Sequence, residues 1–303
     1  MSRVGLIGLG NVGINLAAAL VETESVDELL INSRDFQKTG SYQLDLQDLS
    51  SCCKKQISVR ASLLEELVET DLVIIAVRTD FINAQTTDIR LGGLHANAEL
   101  IEDIANRFKG YEGKVLMITN PVDIMSRLFF EAGNLSPQHV YGIGSNLCTQ
   151  RYRFVLSRIY NVPIQEVEGQ VIGEHGDSRV FLHSSTRIKG NRVNLAEEEI
   201  AKRVAEVSPL INKGAGRTRY GPIGVTVRTV RRLLGHEDGV EQLSSSFRGL
   251  YIGLPVLFNK GTPNPIFPDM DHAESLKFEA SYLKLGETYA KLNRVGDIIT
   301  TPH

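Results

Sequence analysis

The stretch Val4-Gly5-Leu6-Ile7-Gly8-Leu9-Gly10-Asn11-Val12-Gly13 decides the fold. An apolar run of strand length, Val4 to Ile7, closes on a glycine, a GxGxxG sequence follows, and Val12 to Val21 continues with a helical pattern. In that strand–turn–helix setting each glycine has its own task. Gly8 allows the tight turn, Gly10 lets the backbone approach a pyrophosphate, and Gly13 permits close packing of helix on strand. The helix start offers unpaired N–H groups and a positive dipole end to the phosphates. Gly8, Gly10, Asn11, Val12 and Gly13 are therefore read as contacts to a dinucleotide.

Working outward, short β-rich runs alternate with helical patterns. Glu28 to Ile31 and Ile57 to Arg60 read as strands, with a helical segment around Leu44, Leu46 and Leu49 between them. Leu72 to Val77 and Val115 to Thr119 are continuous apolar runs, as expected of strands covered on both faces, and Ile89 to Phe108 is long and helical. Strands separated by helices imply βαβ units and a parallel sheet with right-handed crossovers. Beyond about residue 143 the texture changes. Gln170 to Ile172, Val180 to Ile188 and the turn Lys189-Gly190-Asn191 suggest antiparallel strands with a hairpin. Helical patterns follow at Ala196 to Leu210, after Gly221, and from Ala273 to Leu292. The expected architecture is α/β. A Rossmann doubly wound parallel sheet occupies residues 1–142, and an α+β catalytic domain occupies 143–303, with a cleft at their junction.

The bulk properties remove several classes of function. A chain of 303 residues with 42% hydrophobic and 23% charged residues is that of an ordinary globular protein, large enough to bury a core without metal or disulfides. A net charge of −3 argues against a general nucleic-acid or acidic-membrane binder, which must neutralise many phosphates. No apolar run approaches the roughly 20 residues needed to span a bilayer. The three cysteines, Cys52, Cys53 and Cys148, lie in neither CxxC nor Cys/His spacing. No zinc site or disulfide framework is expected, and a reducing cytoplasm suits the chain.

Three further positions carry chemistry. The fingerprint calls for an acidic residue about 20 positions on, to accept from the adenosine ribose. The second strand ends instead in Asn32, followed by Ser33 and Arg34. Asparagine removes the negative charge, and Ser33 with Arg34 supplies groups for a 2′-phosphate, so NADP stands beside NAD as the expected cofactor. Asn120, in Asn120-Pro121-Val122-Asp123, follows an apolar strand and places an amide where the sheet's carboxyl edge meets the cleft. His175, in Gly173-Glu174-His175-Gly176-Asp177-Ser178, is the one histidine of seven with small neighbours that let substrate and cofactor approach.

At this point the chain resembles the L-lactate/malate dehydrogenase family, closest to its L-2-hydroxyisocaproate dehydrogenase branch. The stretches GLIGLGNVG, TNPVDIM, GIGSNLCTQRYR and VIGEHGDS fall in the family's order and spacing. The resemblance implies hydride transfer between a nicotinamide and a 2-oxo or L-2-hydroxy monocarboxylic acid. It makes His175 the proton donor and acceptor, and an imidazole with an ordinary pKa of about 6.5 works in both directions near neutrality. Arg151 matches the arginine that grips the substrate carboxylate, for which a planar fork is suited. Arg90 matches the arginine that stabilises charge on the reacting oxygen, Asn120 a contact to substrate and nicotinamide, and Thr218 a pocket threonine. Gln85 falls where an arginine would select dicarboxylates, so a malate-type enzyme is disfavoured. The loop from Arg78 to Asp88 is longer than in lactate dehydrogenases, which fits bulkier 2-oxo acids. A homodimer or homotetramer is the assembly the resemblance implies.

Two departures stand out. Cys148 falls where the family has the aspartate that holds the outer nitrogen of the histidine, and a thiol, mostly neutral at pH 7, orients imidazole weakly. Arg78 falls where the family has a small glycine beside the cofactor. With Asn32, these changes sustain an alternative: a dehydrogenase-like binding or regulatory protein with little turnover.

Overall fold

The computed structural model describes residues 1–79 and 94–299. Six strands pair in parallel: β1 (Arg3–Ile7), β2 (Glu28–Asn32), β3 (Ser58–Ala61), β4 (Leu72–Ile75), β5 (Lys114–Met117) and β6 (Val140–Ile143). Their spatial order is β3-β2-β1-β4-β5-β6, the doubly wound order, and its winding reverses between β1 and β4. The crossovers run through α1 (Asn11–Glu22), α2 (Phe36–Cys52), α3 (Leu94–Arg107) and α4 (Val122–Ala132).

Strand periodicity sends alternate residues to opposite faces, and here both faces are buried. Ile7, Leu30, Val73 and Ile75 pack with Ile101 and Ile104 of α3 and with Met125 and Phe129 of α4. Leu6, Leu29, Ile31 and Ile74 pack on the other side, against Leu16 and Leu20 of α1. Ile223 and Val230 of a later helix, α7 (Tyr220–Leu233), join that second layer. The expected burial thus has its physical cause over Leu72 to Ile75, where strand pairing also stops, while Ala76 and Val77 are half-buried. Of the helix expected over Ile89 to Phe108, the described part is α3, and residues 80–93 lie outside the described residues.

The second half does not form a separate sheet. β12 (Gly239–Phe247) pairs antiparallel with β6 through Leu243 opposite Ile143 and Ser244 opposite Gly142. β13 (Leu250–Asn259), β8 (Val171–Gly173) and β9 (Arg179–Phe181) continue outward from β12, and β14 (Thr262–Pro265) also pairs with β13, giving eleven strands in all. A second sheet of three strands holds β7 (Val167–Glu168), β10 (Arg187–Ile188) and β11 (Asn191–Arg192). Lys189 and Gly190, both at positive φ, make the hairpin between β10 and β11.

The structure corrects the sequence reading in three places. Val180 to Ile188 is not one strand: β9 ends at Phe181, and Thr186 Oγ1 donates to Leu182 O across the turn before β10. The helix expected to end at Leu210 runs on as α6 (Glu197–Ala215), through Pro209. Strands β12 and β13 add to the expected elements, and β13 forms although Gly253 and Pro255 interrupt the apolar run Leu250 to Phe258. Both interruptions have a structural use. A Cβ on Gly253 would stand 1.9 Å from Ser145 Oγ and 2.6 Å from Gly173 O, so the missing side chain lets α5 (Ser145–Tyr160) and β8 close on β13. Pro255 sits between the pairing with β8 at Gly253 and the pairing with β14 from Val256. Helix α7 is tied to β12 by Arg228 and Arg232, whose guanidiniums both meet the fully buried Glu241 carboxylate. A final helix, α8 (His272–Ile299), packs along β8, β9 and β13.

Candidate active site

Five strands deliver residues to the cleft. Gly8 follows β1, Asn32 closes β2, Asn120 follows β5, Gly144 follows β6 and His175 follows β8. The cleft is one cavity of about 1040 Å³. It joins Gly8, Gly10, Asn11, Val12, Asn32, Ser33 and Arg34 at one end to Asn120, Arg151, His175 and Thr218 at the other. Gly13 and Cys148 stand behind its wall. Arg90 and Gln85 lie outside the described residues.

The glycine turn fits a dinucleotide on its own geometry. Gly8 has φ +100, and a Cβ there would stand 2.6 Å from Ala76 O. A Cβ on Gly13 would come within 1.8 Å of Gly8 O, so α1 could not meet β1 with any other residue there. A Cβ on Gly10 would meet nothing within 4 Å, and Gly10 lines the cavity with its backbone. Gly10 caps α1 without a side-chain hydrogen bond, so the first-turn N–H groups remain for an anion.

At the adenosine end Asn32 is buried, and its Nδ2 donates to Ser62 O at 2.8 Å. A carboxylate could not make that bond. Ser33 Oγ shares a hydrogen with Thr39 Oγ1 at 2.7 Å, while Asp35 caps α2 by accepting from Lys38 N at 3.0 Å. Arg34 and Lys38 line the wall beside them. Arg78 lines the wall between the two ends.

The other end is assembled by residues the sequence reading did not pick. Asn97 of α3 accepts from Thr79 N at 3.0 Å and Thr79 Oγ1 at 2.9 Å, and its Nδ2 donates to Asn120 O at 3.0 Å. It thereby clamps the segment after β4 to the segment after β5. The sequence shows only an asparagine among the apolar positions Leu94, Ala98 and Ile101, which gives no partner for it. Arg151, on α5, donates from Nη1 to Ser208 Oγ at 2.7 Å and from Nη2 to Thr218 Oγ1 at 3.5 Å, which sets the plane of its fork. Ser208 gave no sequence signal.

His175 is fixed from several sides. Its main-chain N–H donates to Asp123 Oδ2 at 2.8 Å. A Cβ on Gly144 would stand 2.7 Å from the ring Cγ, so only glycine lets the imidazole rest on that backbone. Cys148 Sγ lies 3.6 Å from Nδ1 and is buried. The neighbouring Glu174 accepts from Lys284 Nζ at 2.8 Å, and its N–H donates to Ser281 Oγ at 2.8 Å, so α8 holds the loop from outside. Behind Arg151, Tyr152 OH contacts His183 Nδ1 at 2.9 Å, and burial pushes the tyrosine pKa up and the histidine pKa down. Among the described residues no cluster of His, Cys, Asp and Glu is placed to hold a metal, and no helix is long and apolar enough to cross a membrane.

A doubly wound sheet with a glycine turn at its switch point, opening into a pocket lined by histidine and arginine, defines a nicotinamide-dependent oxidoreductase class. A family model described as lactate/malate dehydrogenase, NAD binding domain, matches residues 2–142. The chain is 28% identical to L-lactate dehydrogenase 2 of Enterococcus faecalis over 96% of this chain and 97% of that protein. It is 29% identical to L-lactate dehydrogenase 2 of Lactococcus lactis subsp. lactis, covering 94% and 96% respectively. It superposes on the crystal structure of minor L-lactate dehydrogenase from Enterococcus mundtii with a TM-score of 0.88 at 26% identity, covering 96% of this chain and 98% of that one. Residues 2–142 thus match the NAD-binding domain of lactate/malate dehydrogenases, and the chain is similar to L-lactate dehydrogenases over nearly its whole length.

Proposed function

We propose that the chain interconverts a 2-oxo acid and its L-2-hydroxy acid, with a nicotinamide dinucleotide held on the Gly8–Gly13 turn. The observation that carries this reading is the single cavity that joins the glycine turn to His175, Arg151 and Asn120. Residues 1–142 hold the dinucleotide and residues 143–303 contribute most of the substrate pocket.

When bound, the reduced nicotinamide supplies the hydride received by the substrate's C2. Arg151, its fork oriented by Ser208 and Thr218, takes the carboxylate through two parallel N–H···O bonds. His175 gives a proton to the oxo oxygen as it becomes a hydroxyl and takes it back in the reverse direction. Asn120 orients that oxygen from the opposite wall. The resemblance assigns Arg90 to stabilising charge on the reacting oxygen and makes Gln85 the residue that favours monocarboxylates, and both lie outside the described residues. The cofactor is NAD, and NADP is accepted too. Asn32 carries no charge to repel a 2′-phosphate, and Arg34 and Lys38 line the cavity beside it. The assembly is a homodimer or homotetramer in the cytoplasm.

The sulfur behind His175, in place of a carboxylate, favours a second reading as a dinucleotide-binding protein with little turnover. A nicotinamide absorbance assay separates the two, run with a panel of 2-oxo monocarboxylates and dicarboxylates against NADH and NADPH. Turnover with a monocarboxylate supports the enzyme, and tight dinucleotide binding without turnover supports the second reading. Failure to bind either dinucleotide contradicts both.

A further inference from the structure

Arg78 is a cation at the cleft that the chemistry proposed above leaves without a task. It lies just past β4, at the place where the winding of the sheet reverses, and lines the cavity wall. The segment it belongs to presses on the glycine turn. Ala76 N donates to Ile7 O at 2.8 Å, and a Cβ on Gly8 would stand 2.6 Å from Ala76 O and 2.9 Å from Val77 N. The backbone on either side of Arg78 is tied down. Thr119 Oγ1 donates to Val77 O at 2.8 Å, and Thr79 N donates to Asn97 Oδ1 at 3.0 Å. The guanidinium is thus carried from a fixed point beside the turn, and Arg78 is exposed, so a ligand in the cleft can meet it. Among the described residues two acids line the same cavity, Asp35 and Glu65. Asp35 caps α2, and Glu65 pairs with Arg107.

The pyrophosphate of a dinucleotide brings a negative charge on each of its phosphates to that turn. The α1 N-terminus answers with N–H groups and a dipole end equivalent to about half a positive charge. Most of the anion's charge is left uncompensated, in a cleft whose walls strengthen its field. An arginine suits the remainder, since its guanidinium keeps its charge and presents parallel donors to two oxygens at once. A glycine, the residue the resemblance implies at this position, could supply neither.

We propose that Arg78 is a binding residue for the dinucleotide's pyrophosphate. It holds the phosphates from the β4 side while the Gly8–Gly13 turn holds them from the β1 side. The role rests on the dinucleotide reading above and assigns Arg78 to the part of the ligand that NAD and NADP share. It is therefore distinct from that of Arg34, whose contact is with the 2′-phosphate alone.

The test is calorimetric titration of the intact chain with ADP-ribose, NADH and NADPH, the first of which carries the pyrophosphate without a nicotinamide. The wild type should bind all three. Arg78→Gln should weaken each by about tenfold or more, the loss of one charge-assisted contact, with the NADH and NADPH losses equal within about threefold. Arg78→Lys should recover part of that loss, because the charge returns without the fork. The gap between wild type and Arg78→Gln should narrow as salt is raised from about 50 mM to about 500 mM. Arg34→Ala, by contrast, should weaken NADPH alone. If Arg78→Gln fails to fold, Arg78→Ala serves in its place and should show the same losses. Binding by the variant as tight as that of the wild type, or tighter, would overturn the proposal. A loss confined to NADPH, or one that spares ADP-ribose, would overturn it too. A wild type that binds none of the three would sink the dinucleotide reading itself, and the role of Arg78 with it.

Discussion

Asn32 shows how a one-residue departure acquires a physical meaning once its neighbours are known. In the sequence it was a missing charge at the ribose position. In the structure its Nδ2 is spent on Ser62 O, a bond an aspartate could not make. We predict that NADPH binds the wild type within about tenfold of NADH, and that Arg34→Ala weakens NADPH alone by about tenfold, the loss of one charge-assisted contact. Dinucleotide titration by fluorescence checks this, and a wild type that does not bind NADPH would refute it. Arg151 yields a second residue-level expectation. Its fork is held by Ser208 and Thr218, so Arg151→Lys keeps the charge but loses the paired geometry. kcat/KM should fall about 10- to 100-fold, mostly through KM, and unaltered kinetics would remove Arg151 from the substrate site. These side chains were legible because they sit in local motifs. Asn97 and Ser208 were not, since a buried asparagine and a lone helical serine gain their meaning only from partners distant in the chain.

The same boundary holds for whole elements. The parallel strands and their helices were readable, because period-2 burial on both faces leaves continuous apolar runs and the crossovers leave amphipathic ones. Strand β13 was hidden by Gly253 and Pro255, residues that weaken an isolated strand but serve this one. Gly253 in particular brings the α5 start, which carries Cys148 and Arg151, against β8, which leads into His175. Gly253→Ala should cost about 3 kcal/mol in a denaturant melt, as overpacking does. It should also lower kcat by separating His175 from the α5 residues. Unchanged stability and turnover would show that the close approach of β13 does not set the site.

At the scale of the molecule, one sheet joins the dinucleotide end to the substrate end, so the cavity walls are parts of one hydrogen-bonded scaffold. The sequence suggested two halves with a cleft between them. The strands β8 and β9 were legible, but their junction to the parallel half through β12 and β13 was not, because those pairings span long separations, as between Ile143 and Leu243. The core behind Arg151 also carries a titration with global consequences. Burial lowers the pKa of His183, so the folded protein holds it neutral while the unfolded chain protonates below about 6.5. The unfolded state then binds more protons, and stability should fall as pH drops below that value. Thermal midpoints should decline on the acid side in the wild type and decline less steeply in His183→Gln, and equal slopes would contradict this account.

The most direct measurement compares wild type with His175→Gln in the oxidation of NADH by a 2-oxo acid, with NADH binding followed in parallel by fluorescence. The account predicts that the variant binds NADH within about threefold of the wild type while kcat falls about 10²- to 10⁴-fold, the contribution of a positioned proton donor. A variant that turns over as fast as the wild type would contradict it.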